Sequence, residues 1–273
     1  MTTTPAATRW PNSACCAISF TMDNLGEAQD VLHSRWPHPI GSHPSITAQL
    51  PRMLSLLESH SLRATYFVEA WSLSVYPSVI SELKEKGHEV AWHGYQHEVW
   101  KTLGEDEERE SFRKSFEAAA EAGVGYRGFR PPGGEVNERT WGLLREKGVR
   151  YVSDVDKGGF GIVKEGVVVL PFEWRCVDAF YYMEKHGGGR VRGPGELRAW
   201  VMGRIEDVKR EGGYLSILAH PFLTTSEERM GVVEEVLARL AGDEEIWCAP
   251  CGEVADWVEG HKEWFEMNDG GNQ

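Results

Sequence analysis

Short apolar runs alternate with amphipathic segments along nearly the whole chain. Uninterrupted apolar runs predict buried strands, whereas apolar residues at i, i+3, i+4 and i+7 predict helices with one buried face. We therefore predict strands at 14–21, 64–69, 88–93, 126–129, 151–153, 214–219 and 246–249, with a valine run at 166–170. The helices are predicted at 45–60, 75–86, 105–121, 136–147, 196–211 and 226–240.

This alternation predicts the fold class. Strand–helix units repeated six or seven times along a chain give right-handed crossovers and a parallel sheet. The chain has 273 residues without an evident linker, and a single α/β barrel commonly reaches about 250 residues. We predict one α/β domain, a closed or nearly closed barrel of about seven parallel strands, over residues 14–265. Residues 1–13 are predicted to be a disordered N-terminus, and residues 266–273 a flexible tail.

Composition excludes several kinds of partner. The 29 basic and 42 acidic residues give a net charge of -13, which argues against nucleic acid and anionic membranes because both attract a basic surface. The N-terminus lacks the features of a signal peptide, and no apolar run is long enough to cross a membrane, so a cytoplasmic location is expected. Five cysteines do not form a disulfide framework. Homo-oligomerisation remains open.

Polar and titratable residues recur where predicted strands end. In α/β barrels the working residues occupy the carboxyl ends of the strands and the loops that follow them. Four such places carry reactive side chains: Thr21-Met22-Asp23-Asn24, His93-Gly94-Tyr95-Gln96-His97, Arg130-Pro131-Pro132-Gly133-Gly134 and His220-Pro221. Their repetition at one rim predicts an active site.

The residue types indicate hydrolytic chemistry. His93 and His97 are four residues apart, a spacing that on a helical turn lets two imidazoles share one metal ion. Asp23 follows an apolar run and needs a partner if it is buried, and the planar fork of Arg130 is suited to hold it as a general base. His220 would then donate a proton to the leaving nitrogen.

The four blocks, in this order and spacing, resemble the polysaccharide deacetylase superfamily, which is carbohydrate esterase family four, the nodulation-type deacetylase homology domain. The resemblance covers roughly residues 15–258. The family pattern is T-F-D-D, H-[ST]-x-x-H, R-x-P-x-G, an Asp-containing block and L-x-x-H. Here the fourth block lies near Asp154 or Asp156. The segments His220-Pro221 and Pro171-Phe172-Glu173-Trp174 look closer to the allantoinase-like and intracellular peptidoglycan-deacetylase-like subgroup.

The resemblance implies a deformed (β/α) barrel and one divalent metal ion, with zinc as the expected ion. It implies metal ligation by Asn24, His93 and His97, and catalysis by Asp23 as base, Arg130 as its tether and His220 as acid. The family has Asp where Asn24 stands, so Asn24 would offer only a neutral oxygen, and Asp23 is an alternative ligand. A backbone N–H near Gly133 would hold the oxyanion. We expect substrate contacts from Pro132, Gly133, Gly134, Trp174, Trp36 and His43.

Three functions follow from these expectations. The first is metal-dependent hydrolysis of a carbon–nitrogen bond other than a peptide bond, removing N-acetyl groups from a sugar or glycan by a metal-activated water. The second is the opening of a cyclic imide or ureide by the same machinery. The third, from another class, is a non-catalytic carbohydrate-binding barrel that lost its metal with the second Asp. A redox role for Cys248 and Cys251 is weaker, because both are expected to be buried structural thiols.

Overall fold

A computed structural model describes residues 9–157, 159–163 and 166–265. In this part of the chain the strands are β1 Cys16–Asp23, β2 Thr65–Val68, β3 Glu89–Trp92, β4 Gly128–Phe129, β5 Tyr151–Val152, β6 Gly161–Val163, β7 Val167–Val169, β8 Tyr214–Ala219 and β9 Ile246–Cys248. The helices are α1 Ala28–Leu32, α2 Leu50–Ser59, α3 Ser72–Val75, α4 Pro77–Glu85, α5 Glu105–Glu121, α6 Glu138–Glu146, α7 Asp178–Tyr182, α8 Pro194–Glu211, α9 Glu227–Ala241 and α10 Cys251–Gly260.

The strands form one sheet that curls into a barrel. Seven parallel strands follow each other in the order β7-β5-β4-β3-β2-β1-β8. β9 also runs parallel to β1, and β6 pairs antiparallel with β7 at the edge. A single parallel bridge between Val177 and Leu218 brings the chain after β7 against β8. The predicted single α/β domain with a deformed barrel of about seven parallel strands is confirmed.

Strand β1 pairs with β2, β8 and β9, and all eight of its residues are buried. Successive side chains of a strand point to opposite faces. Ile18, Phe20 and Met22 accordingly join the apolar core that packs against the helices. Thr21 lies on the other face, where its hydroxyl contacts the Arg130 guanidinium inside the barrel. The same alternation places Asp23 at the carboxyl end of this polar face.

Local signals explain where the long helices begin and end. Four acidic residues stand in the first turn of α5, where they favour the positive end of the helix dipole. Glu107 also accepts the backbone N–H of Gly104 at 2.8 Å. α8 ends at Gly212, whose φ of 71° is easily adopted by glycine. In the described ranges no helix is both long and apolar enough to cross a bilayer.

The structure differs from the prediction in a few segments. The predicted helix 75–86 is divided at Pro77, which begins α4 because proline cannot supply a backbone N–H. Strand β6 and helix α7 were not predicted. Residues 9–13 are not disordered: Trp10 is 3% exposed, stacks on Phe160 and donates its indole N–H to the Gly212 carbonyl at 3.0 Å. Residues 1–8 and the tail 266–273 lie outside the described residues.

Candidate active site

A cleft of about 260 Å³ opens at the carboxyl ends of the parallel strands. Asp23 is the last residue of β1, His93 follows β3, Arg130 follows β4 and His220 follows β8. The predicted catalytic groups therefore meet in one place, as the barrel rule requires. The cleft is lined by residues that include Asp23, Asn24, Gln29, His93, His97, Arg130, Gly133, Gly134, Phe172, Trp174, Met183, His186, His220 and Phe222.

Arg130 fastens Asp23 at the floor of the cleft. The Arg130 Nη1 donates to Asp23 Oδ1 at 2.7 Å, and the two side chains are 1% and 5% exposed. Asp23 Oδ2 receives no hydrogen bond from another described residue and lies 3.8 Å from His93 Nε2. The carboxylate is thus held by one oxygen while the other is available to accept a proton.

The remaining Arg130 donors go to hydroxyl groups. Nη1 also donates to Thr21 Oγ1 at 2.9 Å, and Nη2 donates to Ser153 Oγ and Ser216 Oγ, each at 2.9 Å. The guanidinium also lies 4.1 Å from the ring centre of Phe67, a favourable cation–π distance. Arg130 therefore reaches Asp23 through Nη1 alone, because the neighbouring hydroxyls occupy Nη2.

His93 and His97 lie together, with ring centres 5.0 Å apart. They are not on a helical turn as expected, because Gly94 and His97 have φ angles of 76° and 68° and the segment is a bend. His93 Nδ1 donates to the backbone oxygen of Arg130 at 2.7 Å, which leaves Nε2 unprotonated. Burial lowers the pKa of His93 to about 3 and holds that of His97 well below its usual value. Both are therefore neutral and able to bind a cation.

Gln29 orients the second histidine. Its amide Nε2 donates to His97 Nδ1 at 2.8 Å. A half-turn of this amide would make Oε1 the acceptor and free His97 Nε2 for a metal ion. A polar partner of this kind commonly fixes the ring of a metal-ligating histidine.

Asn24 lines the cleft beside Asp23 because its φ of 65° breaks the strand alternation, a backbone conformation that asparagine tolerates. Its Nδ2 donates to Glu69 Oε1 at 2.7 Å, and Glu69 Oε2 accepts the Leu25 N–H at 2.8 Å. Glu69 is 1% exposed, and burial raises its pKa to about 7. We did not predict Glu69, although it ends the apolar run 64–69 just as Asp23 ends the first strand.

The residues present fit a divalent cation. One ligand atom from each of Glu69, His93 and His97 lies within 4.8 Å of the other two. Neutral imidazoles together with a carboxylate oxygen are the donors of many zinc sites.

His220 is gripped by Asp178, a residue the sequence did not reveal. Asp178 Oδ1 lies 2.5 Å from His220 Nδ1, and Oδ2 accepts the His220 backbone N–H at 2.7 Å. Burial alone would lower the pKa of His220, but the negative charge and hydrogen bond of Asp178 outweigh it and raise the pKa. The acidic partner is therefore Asp178, which begins α7, and neither Asp154 nor Asp156 is among the residues that line the cleft.

The expected substrate contacts divide into two groups. Gly133, Gly134 and Trp174 line the cleft, and the Gly133 N–H has no hydrogen-bond acceptor among the described residues. Trp174 stacks on His186 with ring centres 5.4 Å apart. Pro132 adjoins the lining through Pro131 but is not itself part of it. Trp36 and His43 contact each other, 4.8 Å between ring centres, and do not line the cleft.

Cys248 and Cys251 do not line this cleft: Cys248 pairs with Ile18 in β1, and the Cys251 N–H donates to Thr65 Oγ1 at the start of β2. Both are free, and burial raises the pKa of Cys248 to about 12 and also raises that of Cys251. Since the thiolate is the reactive form, these residues are suited to packing and not to redox exchange.

Comparison with known proteins agrees with this geometry. The model of the polysaccharide deacetylase family matches residues 40–152. A solved Mycobacterium smegmatis protein assigned to the polysaccharide deacetylases is 28% identical, with a TM-score of 0.83 over 95% of this chain and 96% of that chain. Residues 40–152 are thus similar to the polysaccharide deacetylase family, and nearly the whole chain shares the fold of this solved relative. The family match includes His93, His97 and Arg130, whereas Asp23 and His220 lie outside it.

Other similar proteins show how far the likeness extends. The peptidoglycan-N-acetylglucosamine deacetylase of Bacillus cereus is 30% identical over 94 residues, which are 33% of this chain and 34% of that protein. This chain therefore matches about a third of that curated relative's length. An allantoinase structure is 20% identical, with a TM-score of 0.77 over 94% of each chain, and shares the fold.

Proposed function

We propose that this protein is a metal-dependent amide hydrolase that removes an N-acetyl group from a sugar or glycan. The proposal rests on one observation: an arginine-held carboxylate, two neutral histidines and a carboxylate-held histidine line a single cleft. These are the groups needed to activate water, bind a cation and protonate a leaving amine.

His93 and His97, with one further oxygen ligand, would hold the cation. When bound, a divalent ion supplies positive charge that polarises the acyl carbonyl and makes a nearby water more acidic. Asp23 Oδ2 takes the proton of the attacking water, since Arg130 occupies only Oδ1. The free Gly133 N–H donates to the developing oxyanion.

His220 completes the reaction on the leaving group. Its Nδ1 is held by Asp178, so Nε2 is the nitrogen that can donate. As the C–O bond forms and the C–N bond breaks, the proton from His220 passes to the amine nitrogen. The raised pKa of His220 favours the protonated form that this step consumes.

A second candidate is the opening of a cyclic imide or ureide. Two features favour it: the cleft, about 260 Å³, is walled by Phe172, Trp174, Met183 and Phe222, and the fold is shared with an allantoinase. Ligand pockets usually measure roughly 300–1,000 Å³, so this one suits a single sugar unit or a small ring. The same base and acid would attack a ring carbonyl and protonate the ring nitrogen.

The test begins with zinc-loaded protein and two substrate sets. Acetate release from N-acetylglucosamine oligomers and ring opening of hydantoin-type imides are measured beside His220→Ala, with Trp36→Ala as a control outside the cleft. Acetate release that His220→Ala abolishes and Trp36→Ala retains supports the deacetylase. Ring opening alone supports the second candidate. Sugar binding without turnover of either set would favour a non-catalytic carbohydrate-binding barrel.

A further inference from the structure

Three neighbouring strand ends place Glu69 between Asn24 and the histidines. β2 and β3 pair with Val68 opposite Trp92, so Glu69 and His93 are next in register. Paired residues of a parallel sheet project to the same face. On the other side, the Leu25 N–H donates to Glu69 Oε2 at 2.8 Å. Glu69 therefore faces the same floor as Asp23 and His93.

Position 24 carries no carboxylate, but the carboxylate of Glu69 is hydrogen-bonded to Asn24. Asn24 stands where the family pattern has an Asp, and its Nδ2 donates to Glu69 Oε1 at 2.7 Å. Two carboxylates at that distance would repel each other, whereas an amide and a carboxylate attract. The pair keeps the negative charge at the site while moving it from β1 to the end of β2.

Glu69 also keeps lone pairs for a cation. Its oxygens accept hydrogen bonds from Asn24 Nδ2 and the Leu25 N–H, and each carboxylate oxygen has two lone pairs. A ligand atom of Glu69 lies within 4.8 Å of one from His93 and one from His97. Asn24, by contrast, donates its amide N–H to Glu69. It could offer a cation only its neutral amide oxygen.

We propose that Glu69 is the carboxylate ligand of the metal site and that Asn24 is the hydrogen-bond donor that positions it. This assignment rests on the metal-dependent hydrolase proposed above. It makes the ligand set Glu69, His93 and His97, with the same net charge as a set of one Asp and two His.

Zinc binding by the full chain tests the assignment without a substrate. Bound zinc is counted and its dissociation constant measured by competition with a chromogenic chelator. Glu69→Gln is expected to weaken binding about 100-fold or more, whereas Asn24→Ala, which removes only the positioning contact, is expected to weaken it by about tenfold. Glu27→Gln is the matched control: Glu27 is equally buried, accepts the Gly41 N–H at 2.6 Å and contacts neither histidine. It is expected to leave the affinity unchanged.

An exchange variant separates loss of charge from loss of structure. The double substitution N24D/E69Q returns the carboxylate to position 24 and leaves an amide at position 69, so it is expected to recover zinc affinity to within about tenfold of the unmodified chain. If this variant and Glu69→Gln both bind zinc weakly and also unfold at lower urea concentration than the unmodified chain, Glu69 supports the fold and not the metal, and the proposal is overturned.

The outcomes also distinguish this proposal from the proposed function. Zinc that is lost in His97→Ala but retained in Glu69→Gln, with Asn24→Ala the weaker variant, would overturn the role of Glu69 and leave the metal site standing. Equal zinc binding by the unmodified chain and His97→Ala would overturn the metal site itself, and the role of Glu69 with it.

Discussion

Two buried pairs lie in the cleft, Arg130 with Asp23 and His220 with Asp178. They differ in how many hydrogen-bond partners hold the basic side chain. Arg130 donates to Asp23 and also to Thr21, Ser153 and Ser216. Among the described residues the His220 ring has one hydrogen-bond partner, Asp178, which also accepts the His220 backbone N–H. The first pair is anchored on several sides, whereas the second depends on one residue.

The difference teaches that the two pairs have different tasks. A guanidinium does not lose its proton in proteins, so Arg130 can only orient Asp23 and balance its charge. An imidazole can gain and lose a proton near neutral pH, and Asp178 sets how readily His220 does so. Arg130 therefore fixes the position of the base, Asp23, whereas Asp178 sets the proton affinity of the acid, His220.

The largest effect is expected when the anchored pair is broken. Arg130→Met leaves the buried Asp23 carboxylate and three hydroxyls without their donor. Stranding a buried charge typically costs about 3–5 kcal/mol, so the free energy of unfolding should fall by about that amount in urea titrations. Asp178→Asn keeps a polar group against His220 and should cost much less. Equal losses in the two variants would contradict the contrast between the pairs.

The next effect concerns the proton affinity of His220. Asp178→Asn removes the charge that raises the pKa of His220, so the protonated acid is lost at lower pH. The alkaline limb of the kcat profile should move to lower pH, and kcat at pH 8 should fall by roughly 100-fold, in the range of general acid catalysis. Trp36→Ala should leave the limb in place. A lower kcat with an unmoved alkaline limb would show that Asp178 only packs against His220.

His88, whose ring makes no hydrogen bond to a carboxylate of the described residues, sharpens the comparison. Burial lowers the pKa of His88 to about 4, and its Nδ1 accepts the Ala64 N–H at 3.1 Å. Because the unfolded chain binds this proton near pH 6.5 and the folded chain does not, stability is lost as the pH falls from about 6.5 to about 4. The raised pKa of His220 has the opposite sign, since its stabilisation is lost as the pH rises through that pKa.

Urea midpoints measured from pH 4 to pH 8 check this prediction. His88→Asn keeps an acceptor for Ala64 but cannot take up the proton. The free energy of unfolding that is lost as the pH falls from about 6.5 to about 4 should be smaller in this variant by about 1–3 kcal/mol. An acid limb that is unchanged in this variant would assign the pH dependence to other groups.

The smallest effect is expected at the rim, outside both charge pairs. Trp174 lines the cleft and Trp36 does not, yet both were predicted to contact substrate. Trp174→Ala should raise KM by about tenfold, as expected for a lost aromatic contact of about 1.4 kcal/mol, with little change in kcat. Trp36→Ala should leave KM within about twofold. A larger effect from Trp36 would place its loop over the substrate.

Much of the fold and part of the site follow from local pattern. The predicted strand 214–219 and helix 105–121 agree with β8 and α5, because each is long and has a clear period. Asp23, His93, Arg130 and His220 were identified because each follows an apolar run, and parallel strands bring such ends together. Glu69 carries the same signal, whereas Asp178 belongs to a five-residue helix with no period to mark it.

The sequence by itself determined the strand–helix order, the rim on which the chemistry stands and the residues that end the strands, because these depend on side-chain period and chain order. Only the tertiary structure decided the partners: Asp178 for His220, Glu69 for Asn24, and three hydroxyls beside Asp23 for Arg130. Such contacts join residues up to 109 positions apart. They depend on the register of the strands and on the direction of each side chain. The spacing of residues within one segment determines neither of these.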